Sequence, residues 1–135
     1  MNDPKTLIQM GNADLARGAF AQAESLFERA VALDARAHPA WSALANIRVQ
    51  RGDRAGALDA ALKAAELRPD HWPYRLQAGQ ALVLNNRLED GLGHMEAARD
   101  AAPTNYFVLE SLGMAYVQAF RADDAHRTFE IGRAH

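Results

Sequence analysis

The sequence predicts an all-α protein of about eight helices, stacked as an array of antiparallel helix pairs, and three observations predict it. First, small side chains recur every 34 residues: Gly11, Ala45, Gly79 and Gly113; Ala23, Ala57, Gly91 and Ala125; Ala30, Ala64, Ala98 and Gly132. Second, apolar residues within each period fall at spacings of 3 and 4, the spacing of one helix face. Third, a helix-breaking residue follows about one helix length into each of the first three periods, so each unit is a hairpin. A hairpin of this size can bury its apolar face only against its neighbours, which makes a stacked array the expected product.

The hairpins are expected at about 4–35, 38–69, 72–103 and 106–135, in one domain spanning residues 1–135. The first helices carry Leu7, Met10 and Gly11; Trp41, Leu44 and Ala45; and Leu109, Leu112, Gly113 and Tyr116. Gly18, Gly52 and the pair Asn85-Asn86 then break the first three. The second helices carry Ala23, Phe27 and Ala30 in the first unit and Ala125, Phe129 and Gly132 in the fourth, and Pro69 and Pro103 close the second and third. Two helices approach to about 8 Å only where neither has a bulky group at the crossing, which explains the small columns. Trp41, Leu44, Phe27, Tyr116 and Phe129 are expected to fill the core around those crossings; truncating one to Ala should cost about 3 to 5 kcal/mol.

These residues resemble the tetratricopeptide repeat family, whose 34-residue unit runs Trp, Leu-Gly, Tyr, Ala, Phe, Ala, Pro across two antiparallel helices. The match is clearest in LGMAYVQAFRADDAHRTF of the fourth unit and RGAFAQAESLFERAVALD of the first. Trp41 and Pro69 extend it to the second unit, and Gly79, Ala98 and Pro103 to the third. Asp14 and Arg48 stand where the family has Tyr, Ala61 replaces its large aromatic and Arg75 replaces its Trp, departures expected to loosen packing without breaking the period. The resemblance implies a right-handed superhelix whose concave groove holds a peptide.

Composition removes many other functions. With no cysteine there is no thiol chemistry and no disulfide framework. His38, His71, His94, His126 and His135 show no pair at helical ligand spacing, so no metal site is expected. Ser25, Ser42 and Ser111 lack a Gly-flanked elbow, and no Gly-rich phosphate loop is present, leaving no candidate for nucleophilic catalysis or nucleotide binding. Fifteen basic and 17 acidic residues are interspersed for a net charge of −2, which argues against a nucleic-acid partner. No apolar run is long enough to span a bilayer, and the opening Met1-Asn2-Asp3-Pro4-Lys5 does not read as a secretory signal, which points away from a membrane and towards the cytoplasm. No enzyme activity and no cofactor are expected.

A rotation of about 100° from the packed face of each first helix gives a second set of residues. They are Ile8, Asn12 and Leu15; Ser42, Asn46 and Val49; Leu76, Gln80 and Val83; Glu110, Met114 and Val117, with Phe107 and Leu84 beside them. The resemblance implies that this set lines the peptide-binding groove. Its middle column offers three carboxamides, which can donate to and accept from a peptide backbone together, and the column Leu15, Val49, Val83, Val117 is aliphatic throughout. Covering about 400 Å² of such surface at about 25 cal/mol per Å² yields about 10 kcal/mol before association entropy, so micromolar affinity is expected. Ile8, Ala43, Pro73 and Gln77 occupy slots where a familiar subclass places the Lys, Asn, Lys and Arg that clamp a C-terminal carboxylate, so that clamp is absent. Arg17, Arg51, Arg54, Arg87 and Arg121 sit at the turns, where the helix dipole favours them.

The expected function is therefore a protein-interaction scaffold, or adaptor, that holds a peptide or protein segment. Two alternatives stay open. The chain could be the leading, acceptor-presenting module of a larger transferase such as a sulfotransferase or glycosyltransferase. It could also self-assemble as a homo-oligomer through the fourth hairpin, which has no covering helix.

Overall fold

The computed structural model describes residues 3–134. Eight α-helices follow one another, with no strand among the described residues: α1 (Pro4–Ala16), α2 (Phe20–Leu33), α3 (His38–Gln50), α4 (Arg54–Leu67), α5 (Trp72–Leu84), α6 (Leu88–Ala101), α7 (Tyr106–Gln118) and α8 (Ala122–Ala134). Consecutive odd and even helices pack as the four expected hairpins. The chain divides into two compact units, Met1–Arg68 with α1 to α4 and Pro69–His135 with α5 to α8.

Helix ends follow from local chemistry. Asp3, Asp53 and Asn105 cap α1, α4 and α7, their side chains accepting from the amides of Thr6 (2.8 Å), Gly56 (2.9 Å) and Val108 (3.2 Å). Arg68 and Ala102, each just ahead of a proline, leave the helical region at φ −134° and −137°, which ends α4 and α6.

All four hairpin turns are the same motif. Gly18, Gly52, Asn86 and Phe120, again 34 residues apart, take the left-handed conformation at φ 76°, 83°, 62° and 58°. In each, the next amide reaches back to the fifth-previous carbonyl: Ala19 to Asp14, Asp53 to Arg48, Arg87 to Leu82 and Arg121 to Tyr116, at 2.8 to 2.9 Å. Glycine fits such a position without strain and asparagine tolerates it; Phe120 does neither, and its side chain is 94% exposed.

Within each hairpin, residues 16 apart face each other across the crossing. A β-carbon added at Gly11 would lie 2.7 Å from the Phe27 ring, one at Gly113 would lie 2.4 Å from Phe129, and one at Gly79 would lie 2.7 Å from Met95. The corresponding pair in the second hairpin is Ala45 and Ala61, both fully or nearly fully buried. The sizes within a pair are coupled: a large residue stands only opposite glycine, and where the first helix carries alanine the second does too. Gly79 and Gly91 approach even more closely, since a β-carbon on either would come within 2.8 to 2.9 Å of the other's backbone oxygen.

The core of the first unit is built on Leu7, Phe27, Leu44 and Ile47. In the second, Leu92, Met95, Val108, Leu112 and Tyr116 form the centre, with Trp72 and Phe129 packed on it. Trp41 departs from the sequence expectation of a core filler. It is only half-buried, donating from its indole N–H to Ala35 O at 2.9 Å with Lys63 Nζ 5.3 Å above the ring, so it latches the loop ahead of α3.

Two stability predictions follow from these packing rules. Ala61→Phe should destabilise by about 1 to 3 kcal/mol through overpacking, and adding Ala45→Gly should recover most of that loss; urea denaturation showing the double variant as weak as the single would reject the paired-volume rule. Phe120→Gly should stabilise by about 1 kcal/mol, because relief of the left-handed strain exceeds the added unfolded-state entropy. An unchanged or lower urea midpoint would contradict it.

Candidate functional site: the outer face of the first helices

In the first unit, α1 presents Asn12 exposed, with Ile8 and Leu15 half-buried, and α3 presents Asn46 and Val49 exposed, with Ser42 half-buried. In the second unit α7 is the most open. Phe107, Met114 and Val117 are 71%, 54% and 55% exposed, and Glu110 stands between them. Their spacing of 3, 4 and 3 places all four on one helix face. Tyr106, also well exposed, sets its ring edge-on to Phe107 at 6.0 Å. The nearby Glu110 carboxylate holds its phenol above the ordinary pKa.

The α5 row only partly joins this face. Gln80 is exposed and donates from Nε2 to Ser111 Oγ at 3.0 Å, tying α5 to α7 and leaving its carbonyl oxygen as the remaining acceptor. Val83 is half-buried on the core, against the backbone of Gly91. Leu76 corrects the sequence expectation: at 8% exposure it belongs to the core cluster with Leu92, Met95 and Val108, and it is not available to a ligand. The rotation argument placed it outward because it treats each helix as packed on one side, whereas α5 is covered by both α6 and α7.

At the turns, Arg17, Arg51, Arg87 and Arg121 are engaged by carboxylates. Arg17 pairs with Asp14, Arg87 with Asp90 at 2.9 Å and Arg121 with Asp124 at 2.8 Å, and Arg121 also lies 4.7 Å from the centre of the Tyr116 ring. Arg51 grips Glu24 of α2 with two bonds, at 3.0 and 2.7 Å. Arg48 reaches Glu24 at 3.4 Å, Glu28 at 3.3 Å and the Gly56 carbonyl at 3.2 Å. This changes the reading of Arg48 as a residue that loosens packing. Tyr116, at the same repeat position, donates its hydroxyl to Glu96 at 2.6 Å, and Glu96 is the repeat equivalent of Glu28. Arginine and tyrosine perform the same task there, binding a first helix to a glutamate of the preceding second helix.

Among the described residues no group of three or more His, Asp or Glu side chains is placed to hold a metal ion, and no helix is long and apolar enough to cross a membrane. A shallow cleft of about 240 Å³ lies between α7 and α8, lined by Tyr106, Leu109, Glu110, Phe129, Gly132 and Arg133.

Repeating hairpins, size-coupled crossings and a shared turn motif define an all-α helical-repeat fold. Solved structures of MamA share its fold at low sequence identity. One covers 98% of this chain and 78% of its own at 20% identity with a TM-score of 0.90. An RS-1 MamA double mutant covers 99% and 75% at 22% identity with a TM-score of 0.92, and MamA from Desulfovibrio magneticus RS-1, residue 41 to the end, covers 100% and 78% at 23% with 0.89. No family model and no curated protein matches the sequence, and the likeness to these structures is one of fold.

A pH prediction follows from the α2–α3 clamp. The hydrogen bond from Arg51, opposed by burial and reinforced by Arg48, holds the Glu24 carboxyl below its ordinary value of 4.5. Because the folded value is the lower one, the clamp's contribution is full above the unfolded pKa and is lost as pH falls through the folded value. Wild type should melt a few degrees above Glu24→Gln at pH 6, the gap closing towards pH 3; a gap that does not change with pH would show that Glu24 contributes no ionic stabilisation.

Proposed function

We propose that this chain is a noncatalytic protein-interaction scaffold that holds an apolar segment of a partner protein on the outer face of its first helices, with α7 as the main contact. The observation that carries this reading is the helical stripe of Phe107, Met114 and Val117, large apolar side chains left more than half exposed where a soluble protein gains nothing by exposing them. In the stripe's own unit the Gln80 carbonyl oxygen supplies a main-chain acceptor, and on the first helices of the other unit the carboxamides of Asn12 and Asn46 are exposed. Glu110 adds one negative charge, which favours a partner segment with a basic residue next to its apolar ones.

Self-association is the second reading, and the cleft between α7 and α8 favours it. Tyr106, Leu109 and Phe129 give that cleft an apolar lining about as wide as one inserted side chain. The face that bears the stripe and the cleft share only Glu110, so variants separate the two readings.

Met114→Glu with Val117→Glu should lower partner affinity at least tenfold, and Asn46→Ala with Val49→Glu should lower it less. Both should keep the helical circular dichroism and melting midpoint of the wild type. Isothermal titration with the partner recovered from the native host reads the affinities, and light scattering against concentration reads self-association. Unchanged affinity in both double variants discards the binding face; a monomer at high concentration discards the second reading.

A further inference from the structure

Two repeat positions that elsewhere carry mostly apolar residues hold nitrogen-bearing side chains in the third hairpin. The first position reads Leu7, Trp41, Arg75, Leu109, and the two leucines are essentially fully buried. The second, across the hairpin, reads Leu26, Ala60, His94, Thr128; Ala60 is fully buried, and Thr128 satisfies its hydroxyl on the Asp124 carbonyl at 2.7 Å. In α5 and α6 the corresponding Arg75 and His94 are half-buried, and Nε of Arg75 and Nδ1 of His94 are buried atoms with no hydrogen-bond partner among the described residues. Nearby Asp90 is engaged by Arg87 through two bonds, at 3.2 and 2.9 Å. Buried guanidinium and imidazole nitrogens left unbonded are costly, and the residues at the same slots in the other hairpins leave no such buried atom unpaired among the described residues.

We infer that Arg75 and His94 form a binding site for a single carboxylate, set between α5 and α6. The guanidinium is a planar donor fork that matches a carboxylate, and the imidazole supplies one further N–H. Arg75 is the one full positive charge of the pair. A singly charged carboxylate is therefore balanced there, whereas a doubly charged phosphate would retain excess charge and pay a larger desolvation cost in a half-buried slot. The site is separate from the α7 stripe and stands whether or not that face binds a protein segment.

The charges that reach His94 are those of Arg75 on α5 and Asp90 on α6. Burial first, and Arg75 second, hold its imidazole below the ordinary value of 6.5, with Asp90 pulling the other way. A bound carboxylate adds a negative charge beside the ring, so acid titration of His94 should move upward when the site is filled.

The test uses the full chain with sodium acetate as probe, against sodium chloride at equal ionic strength. Acetate at about tenfold its dissociation constant should raise the wild-type melting midpoint by about 3 °C and shift the His94 imidazole nitrogen resonances, with the His94 titration displaced upward. Arg75→Leu and His94→Thr install the residues that α7 and α8 carry at these slots, so both should fold, and both should lose the acetate response. Should either variant fail to fold, the wild-type His94 resonances and titration decide the matter alone. Inorganic phosphate should act equally on wild type and Arg75→Leu, as a general stabilising salt does. Acetate acting alike on wild type and Arg75→Leu, or no shift at His94, overturns the site; a wild-type-specific response to phosphate and not to acetate overturns the carboxylate assignment.

Discussion

Every feature of this molecule depends on how closely the two helices of a hairpin can approach. At the crossing a large side chain is accepted only opposite glycine: Gly11 against Phe27, Gly113 against Phe129, Gly79 against Met95, but Ala45 against Ala61. Because interiors are close-packed, neither member of a pair can change size alone. The third hairpin takes the constraint furthest, with the backbones of Gly79 and Gly91 almost in contact. Helices locked at this distance leave the far side of each first helix with no partner inside its own hairpin, and that is where the candidate binding face arises.

The residues that were legible in the sequence are those that answer to this local, repeated constraint. The small columns and the glycine turns are each set within a single 34-residue unit, so one period reports them and the next repeats them. What could not be read depends on relations between units. Leu76 sinks into the core because α7 covers the side of α5 that a lone hairpin would leave open, and Gln80 is bonded to Ser111, on the next first helix. Arg48 looked like a lost tyrosine until Glu24 and Glu28 came beside it from the preceding hairpin. Phe120 completes the 34-residue series of left-handed positions, yet nothing about phenylalanine signals a turn; only its register with Gly18, Gly52 and Asn86 does.

The outward face is also less uniform than four equivalent rows would suggest. The second unit concentrates its exposure on α7 while α5 turns its row inward, and the first unit offers asparagine, serine and single aliphatics. On the proposed reading, a partner gripped by apolar contacts would find its anchor on α7, and the carboxamides would orient main chain rather than supply affinity. That division matches the energetics of recognition in general, where a few buried apolar anchors carry most of the binding and the polar groups around them set register.

Phe120 sharpens the argument. A left-handed phenylalanine costs about 1 to 2 kcal/mol, and full solvent exposure returns none of it through burial. Glycine holds the same position in two of the other turns at no such cost, so folding alone does not call for an aromatic there. Strain kept at an exposed site is a mark of function rather than of stability. The residue lies two positions beyond the end of α7, the helix that bears the stripe. The same helix that bears the open stripe therefore also leads into the one turn whose residue the fold would not choose, and on the proposed reading both would serve contacts made outside this chain.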